Sequence, residues 1–252
     1  MKTLDKISKY FKNSTGRNFY AKTMLVMSRA LGDVNKDQEM FAEVIEMTHF
    51  GGILHANLKE NEGELKGSEK FGEKGKILGG DYMISNASIQ CCRIQNLPLI
   101  QLLCVIVQNF ARGKFLSEIG SSVSEQKTNF LVKSYLADAS ILAFGSLGIG
   151  LIKNSNLDAC FEYGAHLATA NRIINDINTF KNGIFTLDSF PAMLSDCYKQ
   201  ETIQESVETF GGIQRSKYLA SLHIQSAINS AKQLNNPKEL EIWANTLMLK
   251  LV

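Results

Sequence analysis

Two segments of the chain carry polar residues at a spacing that suits a metal-bound phosphate, but few of these residues are acids. Each set occupies positions i, i+1 and i+4, and the sets are Ala56, Asn57, Glu60 and Asn175, Asp176, Thr179. Residues so spaced lie along one side of a helix. Magnesium prefers oxygen ligands and bridges one or two carboxylates to substrate phosphates. Glu60 and Asp176 are the only acidic members and the candidate ligands, and two carboxylates predict that the chain holds no metal of its own.

Both sets resemble the aspartate-rich motifs of the trans-isoprenyl (polyprenyl) diphosphate synthases. In that family, two adjacent aspartates are followed by a third aspartate three positions later. Further stretches resemble the family in the same order along the chain, and they are residues 72–82, 163–166 and 189–192. The resemblance runs from Gly16 to the C-terminus. It implies an all-α bundle of the isoprenoid-synthase type in which both aspartate motifs are degenerate.

Other phosphate-binding motifs of the family are also degenerate. The family's early basic motif falls on residues 16–20, where Arg17 is the remaining candidate phosphate contact. Residues 63–67 replace the paired arginines that follow the first aspartate motif, and Leu136 and Ala137 replace a lysine–threonine pair. Metal and phosphate sites depend on each other, so their joint loss predicts that no catalytic set is intact.

This pattern resembles the non-catalytic subunit 2 of decaprenyl-diphosphate synthases, notably in residues 42–46 leading to His55 without aspartates. The resemblance implies a regulatory subunit that supports a catalytic homologue in making the ubiquinone side chain. The two chains would form a heterodimer or heterotetramer through the middle helices of the bundle. Mg²⁺ would be bound by the catalytic partner, and prenyl diphosphates are further candidate ligands.

Two other functions stay open. The chain could be a divergent magnesium-dependent prenyltransferase that is active by itself and uses Glu60, Asp176 and Lys59. It could instead be a non-enzymatic protein that binds an isoprenoid chain in the former active-site cavity.

Gly51 and Gly52 precede the first motif by four to five positions. In catalytic relatives, side chains there limit product length by closing the substrate channel. Two glycines therefore mark candidate channel positions. The alternative interpretation is that they allow close packing of helices.

Length and composition are consistent with one helical domain covering residues 1–252, with N-terminal helices shorter than those of the family. The chain has 27 basic and 25 acidic residues, and a net charge of +2 gives no reason to expect nucleic-acid binding. Three prolines in 252 residues favour long helices.

The sequence predicts no transmembrane segment, since no stretch reaches about 18 continuous apolar residues. Residues 1–22 are rich in lysine, with Leu4, Ile7 and Phe11 at helical spacing. This segment fits either a mitochondrial targeting helix or an ordinary first helix. We accordingly predict a soluble or peripheral mitochondrial protein, or otherwise a cytoplasmic one.

Hydrophobic periodicity and capping residues predict ten helices. They cover residues 19–31, 37–58, 80–94, 97–115, 124–152, 157–180, 190–198, 201–210, 213–234 and 238–251. Residues 61–76 are predicted to form a loop, because they are rich in glycine and charge. Asp81 follows two glycines and is predicted to cap the N-terminus of the next helix.

Overall fold

The computed structural model describes residues 18–56, 72–116, 123–196 and 202–251, and within these ranges it contains helices and no strands. The helices are α1 Phe19–Ala30, α2 Lys36–Ala56, α3 Gly72–Arg93, α4 Leu97–Phe115, α5 Val123–Ser134, α6 Ser140–Lys153, α7 Leu157–Lys181, α8 Phe190–Leu194, α9 Ile203–Thr209, α10 Gly212–Ala231 and α11 Pro237–Met248. A π-helical turn, Tyr135–Ala139, joins α5 to α6. The predicted all-α fold is therefore confirmed.

Asparagine caps define where several helices begin. The Asn35 side chain accepts a hydrogen bond from the Gln38 N–H at 2.9 Å, and the Asn35 N–H donates to Gln38 Oε1 at 2.9 Å. This reciprocal pair satisfies two backbone donors at the start of α2. Asn156 likewise accepts from the Ala159 N–H at 3.2 Å, as its position before the predicted helix at Leu157 had indicated.

Helix α7 lies at the centre of the fold, packed against α6 on one side and α10 on the other. Its contact with α6 depends on Gly164, because a Cβ there would lie 2.2 Å from the Leu142 carbonyl oxygen. Gly148 on α6 similarly leaves room for the Phe41 ring from α2. Small residues thus let the helix axes approach closely enough to bury the intervening aliphatic side chains.

The C-terminal helix α11 closes the bundle by packing against α1 and α7. The buried Tyr163 hydroxyl donates to the Leu240 carbonyl oxygen at 2.9 Å, and the Trp243 indole N–H donates to Thr23 Oγ1 at 2.9 Å. Trp243 also stacks on Phe19, with ring centroids 5.9 Å apart. These contacts join the two ends of the described chain.

Three predictions about local structure were wrong. Helix α3 begins at Gly72, so residues 72–76 are helical and not part of a loop. Asp81 therefore lies inside α3 and pairs with His55 instead of capping a helix. The predicted continuous helix over residues 124–152 is interrupted by the π-turn. The prediction missed this turn because the extra residue that it accommodates leaves no signature in apolar periodicity.

The combined segment Glu125–Lys153 is long and apolar enough to pass a length-and-composition test for a membrane span, although 67% of its most apolar window is buried inside the fold. The prediction from continuous apolar runs had found no such segment. A buried central helix of a globular bundle passes the same test, so this segment is weak evidence for membrane insertion.

Candidate functional site

The first degenerate motif begins at the C-terminal end of α2. Ala56 is the last residue of that helix and is exposed, and Asn57 and Glu60 lie outside the described residues. His55 Nε2 lies 3.2 Å from the Ile77 carbonyl oxygen and 3.2 Å from Asp81 Oδ1. His55 therefore ties the end of α2 to α3, and the methyl group of Ala56 cannot bind a metal.

The two candidate channel glycines lie at contacts between helices of this chain. A Cβ on Gly51 would lie 2.8 Å from Ile84 Cγ1 and 3.1 Å from the Gly80 carbonyl oxygen on α3. A Cβ on Gly52 would lie 2.8 Å from two carbons of the Phe110 ring on α4. Real side chains almost never approach so closely, so both positions require glycine or a shift of their neighbours.

The second degenerate motif lies near the C-terminal end of α7. Asn175 is exposed, whereas the Asp176 side chain is only 12% exposed. Asp176 Oδ1 accepts from Arg172 Nε at 2.9 Å, and Oδ2 accepts from the Phe190 N–H at 3.0 Å. Thr179 is half-buried one turn further on. Both oxygens of the single carboxylate in this motif are thus engaged by groups of the protein itself.

Arg172 lies at the centre of a cluster of charged residues. Its Nη1 donates to Asp138 Oδ2, while its Nη2 donates to the Asp188 carbonyl oxygen at 3.1 Å and lies 4.0 Å from Asp188 Oδ2. Lys133 Nζ donates to the same Asp188 Oδ2 at 2.8 Å. Asp138 belongs to the π-turn, so the turn supplies one of the carboxylates around the arginine.

Burial and neighbouring charges shift the pKa values of Arg172 and Asp176 in opposite directions. Burial alone would lower the pKa of Arg172, but the carboxylates of Asp138, Asp176 and Asp188 together raise it well above its usual value. Burial raises the pKa of Asp176 to about 6, because desolvation outweighs the favourable effects of Arg172 and the Phe190 N–H. Ionised Asp176 is therefore held in place at a cost in free energy.

A half-buried carboxylate also lies at the N-terminus of α1, next to the position of the family's early basic motif. Glu46 Oε2 accepts from the Ala21 N–H at 2.8 Å. Burial raises the pKa of Glu46, although backbone N–H groups of Ala21, Asn18 and Tyr20 lower it. Arg17, the candidate phosphate contact, lies outside the described residues. The Glu46 carboxylate thus partly satisfies the backbone N–H groups at the N-terminus of α1.

The described residues do not fit a magnesium ion. Mg²⁺ needs free carboxylate oxygens in near-octahedral geometry, and both oxygens of Asp176 are committed to Arg172 and Phe190. Across the four described ranges, no group of three or more His, Cys, Asp or Glu side chains is arranged to hold a metal. Glu60, the other candidate ligand, falls outside those ranges.

Sequence reasoning identified Asp176 but missed its neighbours. The i, i+4 spacing of Arg172 and Asp176 is a signal for an ion pair within one helix, and it was available. Asp138 and Asp188 carry no such signal, because they reach the arginine from other parts of the fold.

Comparisons with known proteins agree with the fold. No family model matches the chain. A prenyl transferase of Synechocystis sp. is 26% identical over 271 residues, covering 89% of this chain and 82% of the relative. The decaprenyl-diphosphate synthase subunit 2 of Schizosaccharomyces pombe is 31% identical over 178 residues, covering 65% and 56%. A probable mitochondrial hexaprenyl pyrophosphate synthase of Yarrowia lipolytica is 27% identical over 160 residues, covering 58% and 35%.

Among solved structures, a decaprenyl diphosphate synthase of Rhodobacter capsulatus superimposes with a TM-score of 0.82 at 15% identity, covering 98% of this chain and 89% of the other. The chain is therefore similar in sequence to prenyl and polyprenyl diphosphate synthases, and it has the fold of a solved decaprenyl diphosphate synthase.

Proposed function

We propose that this chain is the non-catalytic, regulatory subunit of a heteromeric long-chain polyprenyl (decaprenyl-type) diphosphate synthase. It would support a catalytic homologue in making the side chain of ubiquinone. The observation that carries the proposal is that both carboxylate oxygens of Asp176 accept hydrogen bonds within the protein, one from Arg172 and one from the Phe190 N–H. The similarity to a protein named decaprenyl-diphosphate synthase subunit 2 supports the same function.

The chemistry of the family explains why this arrangement argues against independent activity. Ionising an allylic diphosphate concentrates negative charge on the leaving group, and metal ions stabilise that charge. Ala56 offers no oxygen ligand and Asp176 is engaged, so the described part of this chain supplies no set of acids for the task. We expect the Mg²⁺ ions to be bound by the catalytic partner.

Exposed apolar side chains on α3 and α4 support the role of a subunit. Tyr82 and Ile89 on α3 are 45% and 53% exposed, and Leu97 and Phe115 at the two ends of α4 are 64% and 80% exposed. Large exposed apolar surfaces commonly mark protein–protein contacts. We propose that this surface, which we call the α3–α4 face, contacts the catalytic partner.

Reconstitution tests the function directly. The purified chain, a candidate catalytic homologue and their mixture would each be assayed for elongation of an allylic diphosphate with isopentenyl diphosphate and Mg²⁺. We expect no turnover by the chain alone and at least a tenfold higher rate for the mixture than for the homologue alone. Robust Mg²⁺-dependent turnover by the chain alone would refute the proposal and favour a divergent enzyme.

The proposed contact surface has a matched control. Ile89→Glu introduces a charge on the α3–α4 face, and Ile242→Glu introduces the same charge on α11, where Ile242 is 66% exposed. We expect Ile89→Glu alone to weaken co-purification with the catalytic homologue, because a buried unpaired carboxylate is costly at an interface. Equal co-purification of both variants would argue against this face.

We also propose that Gly51 and Gly52 serve helix packing in this chain. The distances from a Cβ at Gly51 to Ile84 and from a Cβ at Gly52 to Phe110 support this role. Gly52→Ala should lower the melting temperature and leave product length in the reconstituted complex unchanged. A changed product length at unchanged stability would instead favour a channel at this position.

A mitochondrial location is part of the proposal. The relative from Yarrowia lipolytica that is named as mitochondrial supports it, and so does the lysine-rich segment at residues 1–22. Fusion of a fluorescent protein to the C-terminus and imaging with a mitochondrial marker would test the location, and diffuse cytoplasmic signal would contradict it.

A further inference from the structure

The Arg172 guanidinium occupies a position enclosed by acidic residues from three parts of the fold. Its donors reach Asp138 in the π-turn, Asp176 on its own helix and the carbonyl oxygen of Asp188 in the segment after α7. Its side chain is only 20% exposed. Arginine suits this position because the planar guanidinium presents five donors in fixed directions and stays charged.

The cluster also fixes the segment that follows α7. Asp188 is bonded to Arg172 through its carbonyl oxygen and to Lys133 through its carboxylate. Two residues later, the Phe190 N–H donates to Asp176. Ser189 caps the short helix α8 at this point, with its side chain accepting from the Ala192 N–H at 3.4 Å. The charged cluster thus connects the end of α7, the π-turn and the start of α8.

We propose that Arg172 is a resident cation, which neutralises this acidic position and holds the segment after α7 in place without a metal ion. A divalent ion in such a position would draw several carboxylates together by coordination, and the guanidinium does the same by charge-assisted hydrogen bonds. Arg172 acts as a positioning residue for Asp138, Asp176 and Asp188. This role does not depend on a partner subunit and so goes beyond the proposed function.

The first test compares the response of the wild-type chain and its variants to cations. The wild-type melting temperature should be the same in MgCl₂, in MnCl₂ and in EDTA, because the acidic position already holds a positive charge. Arg172→Gln removes the cation that Asp138 and Asp176 share, so the Asp176 carboxylate, which is 12% exposed, loses its charged partner, and we expect the melting temperature to fall by about 10 °C. MnCl₂ should raise the melting temperature of this variant by several degrees, because Mn²⁺ can then take the place of the guanidinium between the carboxylates.

Two controls separate a resident cation from ordinary packing. Arg215→Gln removes an arginine whose Nη1 donates to the Leu194 carbonyl oxygen at an exposed site, and it should change the melting temperature little and gain no response to MnCl₂. Asp138→Asn combined with Arg172→Gln removes one of the carboxylates, so the response to MnCl₂ should fall. A loss of packing alone would not create a response that depends on Asp138.

Three results would overturn the proposal. The first is a wild-type melting temperature that rises in MgCl₂ and no longer does so in Asp176→Asn. The second is an Arg172→Gln variant as stable as Arg215→Gln, and the third is a destabilised Arg172→Gln variant that does not respond to MnCl₂. If Arg172→Gln does not fold, it would be refolded in MnCl₂, where recovery supports the resident cation and failure refutes it.

Discussion

The raised pKa of Asp176 leads to a specific expectation for stability as a function of pH. Asp176 has a pKa of about 6 in the folded protein, compared with an ordinary value of 3.8, because burial outweighs the pairing with Arg172. Between these values the folded state binds more protons than the unfolded state, so the stabilising contribution is present below about pH 4 and is lost as the pH rises through 6. Asp176→Asn removes this titration.

The size of the effect follows from the two pKa values. A rise from 3.8 to about 6 corresponds to about 3 kcal/mol, since each pKa unit equals about 1.4 kcal/mol at 25 °C. With 12% of the Asp176 side chain exposed, solvent screening reduces this figure little. Because part of this change falls below pH 4, we expect the free energy of unfolding of Asp176→Asn, relative to wild type, to increase by about 2.5 kcal/mol between pH 4 and pH 7.5.

Urea denaturation followed by circular dichroism at a series of pH values would measure this difference. Asp158→Asn is a matched control, because it removes the same charge from an exposed side chain on the same helix. The free energy of unfolding of Asp158→Asn should follow that of wild type in parallel across the pH series. The value for Asp176→Asn should approach or exceed that of wild type as the pH rises. Parallel curves for both variants would refute the claim that ionised Asp176 is costly.

Two further expectations concern the packing of the core. Gly164→Ala should destabilise the protein by about 1–3 kcal/mol despite the better helix propensity of alanine, because its Cβ would meet a backbone oxygen at 2.2 Å. Gly145→Ala should destabilise it less, because its Cβ would meet the flexible Met24 side chain at 3.0 Å. Equal losses in the free energy of unfolding, measured by urea denaturation, would contradict this reasoning. Tyr163→Phe should lose about 1 kcal/mol by removing the hydrogen bond to Leu240. Trp243, the single tryptophan, lies on α11 with Leu240, so its fluorescence can follow unfolding. An unfolding midpoint unchanged by Tyr163→Phe would contradict a stabilising role for this hydrogen bond.

Much of the helical framework could be predicted from sequence, because helix periodicity and capping are local properties. Helix α7 was predicted at residues 157–180 and lies at Leu157–Lys181, and α2 was predicted at residues 37–58 and lies at Lys36–Ala56. The start of α3 was missed because its first residues are rich in glycine and charge, which favours a loop when tertiary contacts are ignored. One such contact is Gly80, which packs against the His55 ring and draws α3 onto α2.

The site was only partly accessible from sequence. The lack of acids at Ala56 and Asn175 is visible in the residues themselves, and it predicts weak metal binding by any fold that brings the two motifs together. The engagement of Asp176 by the Phe190 N–H was not visible. That bond depends on how the chain turns after α7, fourteen residues along the sequence.

The sequence by itself determined that the chain is helical, that it resembles a prenyl diphosphate synthase and that its two aspartate motifs have lost most of their acids. These properties depend on residue type and on spacing along one helix. The tertiary structure alone decided that Arg172 is enclosed by Asp138 and Asp188, the first of which lies 34 residues before it. The physical reason is that charges distant in sequence interact strongly only where folding has brought them together and removed the water between them.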